Sequence, residues 1–272
     1  MTGADGEGSE QQTRGANDER KRTAIRDRVR EAISGGRRDD RAVSDTISFV
    51  LVFALIVSGV GLVTVFGMSS LADVKGGANA DAAERGFVTL AENVDELEAG
   101  QSPVRTGELS LADASLAVTT GPSLTVDVGG SSVSETVQVG GLEYRTGDAV
   151  VSYVGGGVFR TQEGGTAVVS SPSVRCTADH ATVSVVRLTP LDVTSVGGGT
   201  AQVGVVRDDS ALVFPRTRAP QTVTNVSVTT ADLRWHRYFE SQPSWTATGP
   251  DTYTCSTDRV FVRRTNVSVA LE

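Results

Sequence analysis

Few side chains in this 272-residue chain are equipped for chemistry. There are two histidines, His180 and His236, and two cysteines, Cys176 and Cys255. Asp179 and Asp232 lie near the histidines in sequence, so a two-histidine-plus-carboxylate metal site is one arrangement to weigh. Structural or exposed imidazoles, one approaching a strand and one in a short helix, are the simpler reading. Asp208-Asp209 and Asp39-Asp40 look like turn or tail residues rather than a general acid–base pair. Trp235-His236-Arg237-Tyr238 offers either a surface for a glycan or partner, or a helix face packed on a sheet. The G-x-S-x-G elbow, the G-x-x-x-x-G-K phosphate loop, H-E-x-x-H and C-x-x-C are all absent. The sequence therefore assigns no catalytic residue, cofactor-binding residue or metal ligand, and the chain is expected not to be an enzyme.

The elements that place these residues begin with one apolar run. From Ile47 to Phe66 the chain has 20 consecutive uncharged residues. At about 1.5 Å per residue such a helix matches a hydrocarbon core roughly 30 Å thick. Helical hydrogen bonding also satisfies the backbone where water is lacking. The segment 43–68 is expected to span a membrane. Ala54, Ser58 and Gly61 share one of its faces and form a candidate helix-packing face, since small residues let backbones approach. Arg26, Arg28, Arg30, Arg37, Arg38 and Arg41 precede the run, whereas only Lys75 and Arg85 follow it over a similar distance. The positive-inside rule then places the N-terminus in the cytoplasm and the C-terminal part outside.

That topology gives the cysteines and two sequons a context. An oxidising exterior permits a Cys176–Cys255 disulfide, the alternative being two unrelated buried thiols. Asn225 and Asn266 each begin an Asn-Val-Ser tripeptide and are candidate N-glycosylation sites. The net charge is −8. Residues 1–42 carry 10 Lys+Arg against 9 Asp+Glu, and the remainder carries 15 against 24. An acidic exterior repels nucleic acid, so none is expected as a partner. Lys21 and Lys75 are the only lysines, a composition that suits a salt-loving source.

Around the span, residues 1–42 are polar and Gly-rich at their start and are expected to form a disordered cytoplasmic leader. Residues 69–102 continue a helical pattern as a stalk. There Ala83, Phe87, Leu90, Val94 and Leu97 recur at steps of four and three, and Gly100 and Pro103 supply a stop. That stripe suits either a filament or, more simply, its own domain. Beyond 103 the period changes to two and turns abound. Strands are expected over 108–118, 123–128, 132–139, 149–154, 158–162, 166–171, 181–188, 200–207, 221–230 and 259–271. Gly155-Gly156-Gly157 marks a hairpin, and 231–241 a helix. The fold class expected is mainly β with a long N-terminal α-helix, in which a transmembrane helix and stalk carry an antiparallel β-sandwich-like head over 103–272.

The stretch DRAVSDTISFVLVFALIVSGVGLVTVFG resembles the N-terminal region of archaeal type IV pilins and archaellins, in particular haloarchaeal pilin-like surface proteins. More loosely, AERGFVTLAENVDEL, LADASLAV and the helix-then-β layout resemble an uncharacterised haloarchaeal membrane-protein family. The resemblance implies a class III signal cut by a prepilin peptidase on the cytoplasmic side of the apolar run. Arg41 and Ala42 would then end the leader, and Val43 would begin the mature chain. Bacterial relatives carry a Glu at the fifth mature position, where this chain has Ile47. A chain with this resemblance is expected to be a pilin-like cell-surface structural protein of the minor pilin or pseudopilin type. Its implied partners are the membrane, the peptidase and other pilin-like subunits. The alternative is an uncleaved, single-pass surface binding protein with a β-sandwich ectodomain.

Overall fold

In this computed structural model, residues 8–216 and 222–272 are described, and within the first helix the side chains of 8–22, 32–45 and 69–73 lie outside the description. The chain divides into two units, Met1–Ser70 and Leu71–Glu272. Helix α1, Gly8–Glu98, contributes to both. Residues 8–42, expected from composition to be disordered, have helical backbone. Their Arg, Glu, Gln and Ala content favours helix locally, and the glycine pair at 35–36 does not end it.

In the first unit, the stretch Thr46–Met68 is long and apolar enough to cross a membrane, with a mean hydropathy of 2.7 and no residue of its apolar window buried in the protein. Phe49 and Phe53 stack one turn apart, with ring centroids 6.2 Å apart. The Thr64 hydroxyl donates to the Val60 carbonyl at 2.8 Å, so this polar group has a partner within its own helix.

The second unit is built on two open sheets. Nine strands form the larger: β1 (Val104–Thr119), β4 (Gly141–Thr146), β5 (Ala149–Val154), β6 (Gly157–Gln162), β7 (Gly165–Ser170), β8 (Val174–Cys176), β9 (Ala181–Pro190), β10 (Ser195–Phe214) and β14 (Val260–Leu271). Their spatial order is β7-β6-β5-β4-β1-β10-β14-β9-β8. The smaller sheet runs β12 (Thr246–Ala247), β13 (Thr252–Ser256), β11 (Asn225–Thr229), β2 (Ser123–Gly129) and β3 (Ser134–Gln138). Every pairing is antiparallel except β14 with β9. That exception corrects the expected all-antiparallel head. The chain between β9 and β14 is long enough for the crossover that a parallel pair requires.

Alternation along the strands gives the nine-stranded sheet two buried faces. On β14, Val260 and Val262 join one core cluster while Val267, Val269 and Leu271 join another. The same split separates Ala181, Val183 and Val185 from Val186 and Leu188 on β9. One face packs on the five-stranded sheet through Val126, Val226 and Tyr253, with α2 (Leu233–Glu240) filling the same core. The other receives the end of α1 through Ala83, Phe87, Leu90, Ala91, Val94 and Leu97. The expected stalk at 69–102 is, from Leu71 onward, part of this domain rather than a separate element. Its apolar stripe has a sheet to cover, which is why it leaves water. Arg160 on β6 anchors the helix by donating to Asp81 and Glu84, each at 2.8 Å.

Turn chemistry fixes the registers. Gly155 and Gly156 have φ of 61° and 104° between paired Val154 and Gly157, a two-residue hairpin that needs positive φ at both centres. The outward face of the smaller sheet is tied by hydroxyl pairs: Thr125 with Thr136 at 2.9 Å, Ser227 with Thr254 at 2.8 Å, and Thr229 with Thr252 at 3.0 Å.

Candidate functional site

The residues singled out for processing and packing fall in the first unit. The backbone of Arg41, Ala42 and Val43 is helical, and their side chains lie outside the described residues. Ala54, Ser58 and Gly61 are exposed along the apolar stretch, and nothing within 4 Å would meet a methyl group added at Gly61.

Among the described residues, no metal site is assembled around the histidines. Asp232 is the N-cap of α2, accepting from the Arg234 backbone N–H at 2.9 Å and from the Arg234 guanidinium at 2.7 Å. A capping carboxylate tied to a guanidinium is committed to the helix start. The His236 Nε2 lies 2.6 Å from the Thr230 carbonyl, and its ring meets Tyr253 edge-on at 5.5 Å. His180 sits in the turn before β9, where the Thr177 hydroxyl donates to its carbonyl at 2.8 Å. Among the described residues, no group of three or more His, Cys, Asp or Glu side chains is placed to hold a metal ion.

The Trp235-to-Tyr238 stretch resolves toward packing. Trp235, Tyr238 and Phe239 are buried, and Trp235 meets Phe159 of β6 at 6.4 Å between centroids. The Tyr238 hydroxyl donates to the Val174 carbonyl, and burial pushes its ionisation up to about 12. Next to it, Arg234 reaches the nearly buried Glu143 of β4 at 3.1 Å.

Cys176 and Cys255 form a disulfide, with Cα atoms 6.1 Å apart. It joins β8 of the larger sheet to β13 of the smaller, so the bond crosses the core between them. The two sequons differ in setting. Asn225 opens β11 beside Gly129, where a methyl group would come within 2.4 Å of its Oδ1. Asn266 lies mid-strand in β14, and its amide nitrogen donates to Asp209 at 2.6 Å. Its Oδ1 is buried without a partner among the described residues. Asp208 and Asp209, expected in a turn, instead carry β10 through a bulge in its pairing with β14. Asp208 accepts from Ser268 at 2.7 Å. Carboxylates at a bulge can meet donors on the next strand, so the chain does not turn there.

One cleft was not foreseen from the sequence. It measures about 540 Å³ and lies where α1 ends, lined by Asp95, Glu98, Ser173, Ser184, Leu212 and Phe261. Asp95 and Glu98 are one helical turn apart. The Asp95 carboxyl is raised above its ordinary value by desolvation first, then by Glu98 and, more weakly, Glu92, against a lowering hydrogen bond from Ser173. Leu212 and Phe261 are exposed on adjacent strands. The hydropathy pattern hid this place because its walls come from elements distant in sequence.

Residues 41–270 match a family of unknown function, DUF7289, and by the extent of that match the chain belongs to it. No curated protein and no solved structure matches the chain.

Proposed function

We propose that this member of DUF7289 is a single-pass, membrane-anchored surface protein of the type IV pilin-like kind, with its β-rich domain outside the cell. The observation that carries this reading is the stretch Thr46–Met68, apolar and unburied in its own chain. An apolar helix that its own protein leaves uncovered requires lipid or other helices around it. The arginine-rich flank before it and the Arg41-Ala42-Val43 sequence support a cytoplasmic N-terminus and removal of the leader by a prepilin peptidase. The disulfide between the sheets supports an oxidising compartment for the domain. On this reading the protein acts structurally, through packing of the 43–68 helix against pilin-like subunits by way of Ala54, Ser58 and Gly61.

The test is the N-terminal residue of protein purified from native membranes, determined by mass spectrometry beside an Ala42→Leu variant. A chain beginning at Val43, and retention of 1–42 in the variant, is the expected result. Wild-type protein that keeps 1–42 in mature membranes sinks the processed reading. It would leave a permanently anchored surface binding protein whose activity lies in the outer domain.

A further inference from the structure

The two Asn-Val-Ser tripeptides are identical in sequence, and their surroundings decide between them. Side chains alternate across a strand, so on β11 Val226 and Val228 enter the core while Asn225, Ser227 and Thr229 stand on the outward face of the smaller sheet. Asn225 is the first residue of β11 and pairs with Gly129, the last of β2, and with Ser256, the last of β13. Its amide is therefore flanked across the sheet by a bare Cα on one side and a serine on the other. The side chain leans over Gly129, where a methyl group would come within 2.4 Å of its Oδ1. Among the described residues its Nδ2 makes one long hydrogen bond, to the Thr224 hydroxyl at 3.4 Å. Asn266 stands instead in the middle of β14, in register with Asp209 of β10 and Arg187 of β9. It shares a strand face with Arg264, which reaches Glu135 of β3, and with Ser268, which donates to Asp208. That face turns toward the smaller sheet. The Asn266 Nδ2 is held by Asp209 at 2.6 Å and its Oδ1 is buried, so a saccharide on that nitrogen would displace Asp209 from a row filled on both sides.

We propose that Asn225 carries an N-linked saccharide and that Asn266 carries none. The inference rests on the reading that the β-rich domain lies outside the cell, and not on how the leader is processed. In the transfer, the Asn225 amide nitrogen attacks the anomeric carbon of a sugar joined through phosphate to a membrane lipid. The N–C1 bond forms, the C1–O bond to phosphate breaks, the lipid phosphate leaves with the bonding pair, and the amide gives up one proton. Ser227 completes the tripeptide on the same outward face, and in its row stand Thr254 of β13 and Asp127 of β2. These hydroxyls and this carboxylate offer donors and acceptors to the hydroxyls of the attached sugar.

The experiment takes the full chain purified from native membranes, beside Asn225→Gln, Ser227→Val and Asn266→Gln variants made in the same cells. Peptides containing residues 225 and 266 are read by tandem mass spectrometry. Sidedness is read separately on intact cells with a membrane-impermeant amine reagent, since Lys75 is exposed and is the only lysine after the apolar stretch. Expected is a saccharide mass on the Asn225 peptide and none on the Asn266 peptide. That mass is lost in both Asn225→Gln and Ser227→Val, which remove different parts of the tripeptide, and is kept in Asn266→Gln. Thermal unfolding of each variant shows that the fold is kept. An unmodified Asn225 in protein whose Lys75 is labelled on intact cells overturns the proposal and leaves the surface reading standing. Labelling of Lys75 only after lysis overturns the surface reading, and the proposal with it. A saccharide on Asn266 of the folded protein overturns the choice between the two sites.

Discussion

Asp95 shows how one residue can oppose the fold that holds it. Its carboxyl is raised in the folded state, by desolvation and then by Glu98 and Glu92 on its own helix, while Ser173 pulls the other way and Arg263 from β14 lines the same cleft. The folded state therefore holds this proton more tightly than the unfolded chain does. The contribution of Asp95 to stability is most favourable below the ordinary carboxyl value. It declines as pH rises through the raised value and is constant above it. Asp95→Asn should abolish that part of the decline and raise Tm at neutral pH, as checked by thermal unfolding from about pH 3 to about pH 8. None of this was legible in the sequence, because Ser173 and Arg263 lie far from Asp95 along the chain. The cysteines were legible as a candidate pair, but Asp232 was not legible as a cap bound to Arg234.

At the scale of elements, the helical stripe through Phe87 decides whether α1 belongs to the domain. Phe87 is fully buried among residues of β1, β4, β5 and β10. Phe87→Ala should cost about 3–5 kcal/mol, measured by chemical unfolding of the full chain in detergent. On the proposed reading, the apolar stretch has lipid as its solvent. Ile56→Arg places a charge near the middle of Thr46–Met68, at a cost of about 2.5–3.5 kcal/mol in a bilayer. The fraction of protein resisting alkaline extraction from membranes should drop accordingly. The sequence showed these helical patterns, the β5–β6 hairpin and most long strands, because each has a local period or a glycine turn. It did not show β4, where only Arg145 is exposed along the strand and Glu143 interrupts the apolar run. Glu143 is tolerated there because Arg234, distant in sequence, comes to meet it. It did not show β8, β12 or β13 either, since two are short and the third is set by its neighbours. The bulge at Asp208-Asp209 hid the length of β10 by imitating a turn.

For the molecule as a whole, the disulfide is the one covalent link between the two sheets besides the chain itself, and it closes a loop of sequence separation 79. Replacing both Cys176 and Cys255 by serine should lower stability by about 2–4 kcal/mol, seen as a drop in Tm equal to that produced in the wild type by a reductant. The place of β14 has a consequence of another kind. Strand β14 lies between β10 and β9, third from one edge of the larger sheet. Until residues 260–271 have emerged, β8 and β9 have no strand to join them to the rest, and β10 has an open edge. A chain lacking residues 260–271 therefore leaves β10 with an open edge and β9 with no partner on that side, a ready template for pairing with another chain.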